Sequence, residues 1–351
     1  MIKSSKEKLP PPRVVFLTVT DECNLRCKMC GVWMRKKIRD KDDNKHLEYR
    51  EFINILNEIK WWGGVQYIAF DTIGEPFLNP SFIKLVRYAN KLGFKTNTVT
   101  NGTLINESLA KDIIFSGLNS LLVSLDGPTA AIHDKIRGVR GSFDKVIKSI
   151  YYIHRLQKRY RIDSPAIGVM SVISKKNIDY IDVMADLLKK IGVNYIRFVY
   201  VSLVDRTVVK DIYLKVGRNI VNTKRFELSF PDLYIKEDQS IKLIKKIVCL
   251  EEKCRAYGIR LNFSLNIKGY HQECNMLWNS IFLDVFGNVY PCPMMDTGDW
   301  LGNVRYQLLD DIWNSQSYYI LRQLIYKRNK KNIDIELCKR CCLFSEIKYH
   351  G

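Results

Sequence analysis

Residues 13–31 read RVVFLTVTDECNLRCKMCG, and the order of features in this stretch decides the fold. The apolar run Val14–Val19 is too brief for a signal peptide and reads as a strand. Directly after it come Cys23, Cys27 and Cys30, spaced C-x3-C-x2-C. Parallel α/β sheets place their chemistry at the C-terminal ends of their strands. The three thiols therefore stand on a functional rim, provided the rest of the chain supplies such a sheet.

It does. From Arg13 to about Arg197, short β-rich runs alternate with helical patterns. The runs are RVVFLTV, VQYIAF, FKTNTVT, NSLLVSL, AIGVMSV and NYIRFVYV. Between them apolar residues recur at helical spacing: Phe52, Ile55, Leu56 and Ile59 share one face, as do Phe82, Leu85, Val86 and Ala89. Asn106 is placed to cap the helix that ends near Gly117, and Asn177 the helix that ends at Gly192. Six strands alternating with helices predict a parallel sheet covered by helices, either doubly wound or rolled into a barrel. Residues 201–240 are less regular. A helical stretch then runs from Ser240 to Gly258, and the character changes after GIRLNFSL. SIFLDVFGNVYPC (Ser280–Cys292) has the alternation and the Gly287–Asn288 turn of a small hairpin. A domain boundary is expected near residue 258, giving units 1–257 and 258–351.

The chain has 351 residues, 46% hydrophobic and 26% charged, an ordinary globular mixture that suits one large domain or a domain with an appendage. No segment reaches the roughly 18 apolar residues that would span a bilayer. With no export signal, the cytoplasm is the expected compartment. The formal charge of +19 fits either a Lys-rich surface or an anionic partner. Basic residues are spread along the chain. The densest run, His154–Arg161, reads as the solvated end of a helix, and no nucleic-acid signature accompanies it. Neither a membrane nor a nucleic acid is the expected partner.

Ten cysteines without an export signal argue for metal binding or chemistry rather than disulfides. Three lie at residues 23–30, and the other seven start at Cys249. Two separated metal sites would give this pattern. Structural zinc wants four ligands, and a [4Fe-4S] cubane usually takes four cysteines. Three cysteines leave one iron without a protein ligand, open to a small molecule. The plainer alternative is a zinc or iron–sulfur site completed by a distant cysteine. Gly74, Glu75 and Pro76 follow the second strand, and Ser124 and Asp126 follow the fourth, so both groups share the rim with the cysteines.

In this combination the sequence resembles the radical S-adenosylmethionine (SAM) enzymes. C-x3-C-x2-C follows the first strand, and GEP (Gly74–Pro76) matches the second-strand motif, although the usual preceding glycine is Ile73 here. TNGTLI (Thr100–Ile105) and SLDGPTAAIHDKIRGVRGSF (Ser124–Phe143) resemble the branch that carries a C-terminal SPASM or twitch domain. The resemblance implies a partial (β/α)6 barrel related to the TIM barrel. It also implies roles. Cys23, Cys27 and Cys30 would hold three irons of a [4Fe-4S] cluster, and SAM would chelate the fourth. Gly74 would let the backbone approach SAM, and Glu75 would accept from its ammonium. Pro76, Asn101, Ser124, Asp126 and Arg137 complete the candidate SAM contacts. The residue before the third cysteine, often aromatic in this family, is Met29.

Cys274, Cys292, Cys338 and Cys341 are spaced C-x17-C-x45-C-x2-C. Four ligands fit one fully ligated cluster, with zinc as the alternative. The arrangement resembles the twitch domain, a hairpin plus a helix with one auxiliary [4Fe-4S] cluster, because the chain ends too soon for the further cysteines of a full SPASM domain. The spacing is close to that of the aminocyclitol dehydrogenase acting on 2-deoxy-scyllo-inosamine. Cys254 shares a helical face with Ile247 and Leu250 and reads as a buried small hydrophobe. Cys249 and Cys342 are candidate hydrogen-atom donors, which would turn oxidation into epimerisation.

Three functions compete. The first is a radical SAM enzyme that oxidises or epimerises an anionic or carbohydrate-like small molecule, served by a reductant protein such as flavodoxin or ferredoxin. Only 22 residues precede Cys23, leaving no room for a fused leader-peptide recognition domain. The second is a peptide-modifying maturase. The third is a non-catalytic zinc or iron–sulfur protein that binds nucleic acid through its charge.

Overall fold

The computed structural model of the chain describes residues 8–30, 45–70, 73–200, 239–263, 273–293 and 301–331, together with Leu233, Ile235, Ile335 and Cys338. The strands are β1 (Val14–Leu17), β2 (Tyr67–Ala69), β3 (Lys95–Thr100), β4 (Ser120–Ser124), β5 (Ala166–Ile173), β6 (Tyr195–Tyr200), β7 (Arg260–Phe263), β8 (Ser280–Leu283), β9 (Asn288–Tyr290) and β10 (Gly302–Asn303). Helices α1 (Tyr49–Trp62), α2 (Phe82–Lys91), α3 (Glu107–Ile114), α4 (Ala130–Arg137), α5 (Ser142–Tyr160), α6 (Met184–Lys190) and α7 (Ser240–Tyr257) lie between the first seven strands. Helices α8 (Met276–Asn279), α9 (Leu309–Trp313) and α10 (Gln316–Lys331) follow.

Among the described residues ten strands form one sheet, in the order β10-β9-β8-β1-β2-β3-β4-β5-β6-β7. From β8 to β7 every neighbouring pair is parallel. The six expected strands are joined at the far edge by a seventh, β7, which pairs residue for residue with β6 from Tyr195↔Arg260 to Phe198↔Phe263. The last antiparallel pairs, β8 with β9 and β9 with β10, make the C-terminal hairpin region. The fold is a mostly parallel α/β sheet, as the resemblance implies, with that hairpin appended.

Burial on both faces explains why β1 is an unbroken apolar run rather than an alternating one. Val15 and Leu17 belong to the large core beneath the helices, with Phe52, Leu56 and Ile59 of α1 and Leu85, Val86 and Ala89 of α2. Val14 and Phe16 face the other way and pack with Ala69, Phe282 and Tyr290. Phe16 stacks on Phe282 with ring centroids 4.3 Å apart and planes 12° from parallel. That stack seats β8 beside β1, so the hairpin shares the sheet with the barrel strands.

Local chemistry fixes the helix starts. Asn106 Oδ1 accepts from Leu109 N at 2.8 Å and caps α3. Asn177 does something else. Its Oδ1 accepts from Ser174 N at 2.8 Å, and its Nδ2 donates to Asp126 O at 2.9 Å and Val172 O at 2.8 Å. It ties the end of β4 to the end of β5, and the chain turns through a short 3-10 segment, Ile178–Tyr180, before α6 begins.

Candidate active site

The cysteine loop that follows β1 is held from two sides. Toward β2, the Glu75 N–H donates to Glu22 O at 2.7 Å, and Asn79 Nδ2 donates to Val19 O at 2.7 Å. Gly74 makes this approach possible. Its φ is +84°, and a Cβ built there would lie 2.3 Å from Thr20 O and 2.9 Å from Glu22 O. The glycine expected to admit a ligand thus admits the cysteine loop itself. Toward α4, the Lys28 N–H donates to Ile136 O at 3.0 Å, and Gly138, with φ +73°, closes on Arg26 O. Cys27 is buried, whereas Cys23 and Cys30 are half-buried.

Glu75 is 1% exposed. Its Oε1 accepts from Thr100 Oγ1 at 2.7 Å, and its Oε2 accepts from Asn101 N at 2.7 Å. Burial pushes its carboxyl up to about 7, against the hydrogen bonds from Thr100, Asn101 and Phe77 that favour the anion. Pro76 is buried as the first residue of the 3-10 turn Pro76–Leu78, for which Glu75 is the N-cap. Asn101 then reaches the cysteines: its Nδ2 lies 2.8 Å from Asn24 Oδ1 and 3.8 Å from Cys23 Sγ.

Across the rim, Ser124 is buried at the end of β4, and Asp126 follows it. Asp126 Oδ1 accepts from Val172 N at 2.8 Å, and Oδ2 lies 2.6 Å from Arg137 Nε. The guanidinium's NH1 lies 3.9 Å from Cys27 Sγ. Burial opposes the Arg137 charge, but Asp126 and Cys27 outweigh it and raise its pKa. Burial pushes the thiols of Cys23 and Cys27 up, and Arg137 pulls Cys27 back toward the thiolate.

Of the described C-terminal cysteines, Cys274 is tied to α10, and Cys338 lies close enough to Cys274 to feel its charge. The Cys274 N–H donates to Asn329 Oδ1 at 3.2 Å, and Asn329 Nδ2 donates back to Cys274 O at 3.1 Å. Burial raises Cys274 and pushes Cys338 up to about 12, while Arg328 favours the thiolate of both. Cys341 and Cys342 lie outside the described residues. Cys254 is 2% exposed within the core beneath α7. Cys249 is half-buried on the same helix, at helical spacing from Lys246 and Lys253, which pair with Asp182 and Asp186. Neither belongs to the set that meets at the ends of β1–β4.

Residues 17–188 match the model of the radical SAM superfamily, and residues 274–342 match an iron–sulfur cluster-binding domain, SPASM. The chain belongs to the radical SAM superfamily and carries a SPASM domain. Among curated relatives, the tungsten-containing aldehyde ferredoxin oxidoreductase cofactor-modifying protein of Pyrococcus furiosus is 26% identical, covering 94% of this chain and 87% of its own. The Fe-coproporphyrin III synthase of Methanosarcina barkeri is 26% identical over 97% and 82%. The mycofactocin maturase MftC of Mycobacterium tuberculosis is 28% identical over 91% and 74%. Of solved structures, Streptococcus suis SuiB bound to S-adenosylmethionine superposes with a TM-score of 0.68 at 17% identity, covering 95% of this chain and 72% of SuiB. BtrN, in complex with AdoMet and 2-DOIA, superposes with a TM-score of 0.51 at 14% identity over 95% and 94%. These likenesses establish the fold.

Do the radical SAM residues of this chain fit a cluster? Among the described residues no three His, Cys, Asp or Glu side chains converge on a point that would hold a single metal ion. A cubane has separate irons for its cysteines, so its ligands need proximity rather than convergence. The proximity is present: Cys30 disfavours charge on Cys23, and Cys23 disfavours charge on Cys27. Three neighbouring thiols, with Cys27 beside the Arg137 guanidinium, suit iron–sulfur chemistry.

The sequence reading did not assign several residues that build the site. Thr100, 2% exposed, lies in a polar stretch whose periodicity gives no sign that it turns inward, and Asn24 is an exposed loop residue. His133, with Nδ1 accepting from Asp126 N at 3.1 Å, looks like any helix-face histidine. On α10, Arg322 and Asn329 fall at helical spacing with Tyr318 and Ile325, which marks a shared face but not its burial.

Proposed function

We propose that this chain is a peptide-modifying radical SAM enzyme. The class rests on one observation, the three-thiol loop at the end of β1 clamped between Glu75–Asn101 and Asp126–Arg137. Cys23, Cys27 and Cys30 would hold the first cluster, and Cys274, Cys292, Cys338 and Cys341 the second. With cluster and SAM bound, the chemistry supplied is reductive cleavage of SAM and hydrogen-atom abstraction from the substrate.

The chain's own residues have separable tasks. Arg137, held by Asp126, offsets the negative charge that accumulates on Cys27. Glu75 fixes Asn101, and its Oε2, which accepts from Asn101 N, retains acceptor capacity for an ammonium, while Oε1 already accepts from Thr100 and Phe77. Ser124 presents a hydroxyl at the end of β4. The buried face formed by Phe16, Phe282 and Tyr290 excludes water from the sheet's interior below the rim.

A peptide substrate is supported by the relationship to the maturase MftC and by fold neighbours crystallised with peptides. These are SuiB with the precursor peptide SuiA and anSMEcpe with the Cp18Cys peptide. The charge of +19 favours an acidic peptide. A second reading, oxidation or epimerisation of a carbohydrate-like molecule, draws on the C-x17-C-x45-C-x2-C spacing and on the likeness to BtrN. On that reading Cys249 and Cys342 are the donor thiols to test.

Anaerobic incubation of reduced protein with SAM separates the two. One arm contains an acidic peptide encoded beside the gene, the other an aminocyclitol. A SAM-dependent peptide product lighter by hydrogen atoms supports the proposal. Turnover of the aminocyclitol with the peptide unchanged overturns it in favour of the second reading.

A further inference from the structure

Arg322 is 4% exposed in the middle of α10. Its Nε donates to Leu277 O at 2.9 Å, and NH1 donates to Trp313 O at 2.8 Å. Its guanidinium carbon lies 4.2 Å from the Trp313 ring centroid and 4.6 Å from that of Tyr318. NH2 is buried without a hydrogen-bond partner, and so is the Tyr318 hydroxyl. No carboxylate among the described residues pairs with Arg322. A buried guanidinium is normally paired with an anion, because carbonyls and ring faces only partly replace its hydration. Burial accordingly lowers its pKa to about 10.

The surroundings suggest what the missing anion is. Tyr318, Arg322, Ile325 and Asn329 recur at intervals of four, three and four residues, so they share one face of α10. Asn329, on that face, clamps the Cys274 backbone from both directions. Leu277, which accepts from Arg322, belongs to the short helix α8 that begins just after Cys274. Cys292 acts electrostatically on Tyr318, and Arg328, 9% exposed on the adjacent turn, acts on Cys274 and Cys338. Arg322 thus lies on α10 between Tyr318, which the charge of Cys292 reaches, and Asn329, which holds Cys274.

We propose that Arg322, assisted by Arg328, is an electrostatic positioning residue that raises the reduction potential of the C-terminal iron–sulfur cluster. This rests on the reading that Cys274, Cys292, Cys338 and Cys341 hold that cluster. Four thiolates around a cubane make a net anion, and accepting one electron makes it more negative. Fixed positive charge stabilises the reduced form more than the oxidised form. The Arg322 charge, which no carboxylate among the described residues balances, therefore favours a cluster that takes an electron.

The test is a redox titration followed by electron paramagnetic resonance on the full chain with both clusters. The SAM-responsive signal belongs to the first cluster and serves as an internal control. Arg322→Gln should lower the reduced-to-oxidised ratio of the second cluster about tenfold at a fixed potential, a shift of 59 mV for one electron. Arg322→Lys should restore most of that ratio, and Arg328→Gln should shift it in the same direction as Arg322→Gln. An unchanged ratio in both glutamine variants, with both clusters present, overturns the inference. If every variant loses the second cluster, the arginines serve folding and the inference fails likewise. A wild-type chain with iron for one cluster only would instead defeat the cluster reading on which it rests.

Discussion

The Asn101 N–H donates to Glu75 Oε2 at 2.7 Å, and the same asparagine's amide points at Cys23. A carboxylate that the sequence offers as a SAM contact is therefore also the anchor of the cysteine loop's neighbour. Glu75→Ala removes the acceptor for two buried donors, Thr100 Oγ1 and Asn101 N. It should destabilise the folded protein by about 2–4 kcal/mol, since each orphaned donor costs about 1–3 kcal/mol. SAM binding should weaken by at least about tenfold as Asn101 loses its position. Denaturant melts and equilibrium binding check both. Unchanged stability with weakened binding would show that Glu75 serves SAM alone.

Gly74→Ala meets an obstacle that cannot yield, the Thr20 carbonyl at 2.3 Å. The strain acts on the first cysteine group and leaves the second untouched. Anaerobically reconstituted wild type should hold about eight irons, as two cubanes require. The variant should keep about four, with the SAM-responsive signal lost. Retention of all the iron and of SAM binding would contradict the role assigned to Gly74.

His133 supplies a pH dependence. Its Nδ1 accepts from Asp126 N, and burial lowers its pKa to about 4, with the Arg137 charge acting in the same direction. The folded protein therefore leaves His133 neutral while the unfolded chain protonates it near its ordinary value. Its contribution is present at neutral pH and is lost as pH falls from about 6.5 toward 4. By pH 5.5 the loss should be about 1.4 kcal/mol. His133→Asn keeps an acceptor for Asp126 N and should flatten the stability profile of the holoprotein between about pH 7.5 and 5.5. Parallel profiles for wild type and variant would contradict this assignment.

What the sequence disclosed follows from physics that acts locally. Strands buried on both faces are continuous apolar runs, and the thiol spacing is visible without any fold. β7 was harder to read, because Arg260–Phe263 is short and mixed and becomes a strand only by pairing with β6. Asn177 looked like a cap because it precedes a helix, but a side chain that can bond three backbone groups from two strand ends is recruited there instead. Arg322 is one cation among many in the sequence. Its burial arises from the packing of α10 against α8 and Trp313, which no local pattern reports.

The central claim is that Cys23, Cys27 and Cys30 form a reaction centre for SAM. Its most direct test is the quantity of 5′-deoxyadenosine released when anaerobically reconstituted, chemically reduced protein is mixed with SAM. Wild type should release 5′-deoxyadenosine with methionine, and the Cys23→Ala, Cys27→Ala, Cys30→Ala triple variant should release none while keeping its second cluster. No 5′-deoxyadenosine from fully iron-loaded wild type, or equal release by the triple variant, would contradict the account.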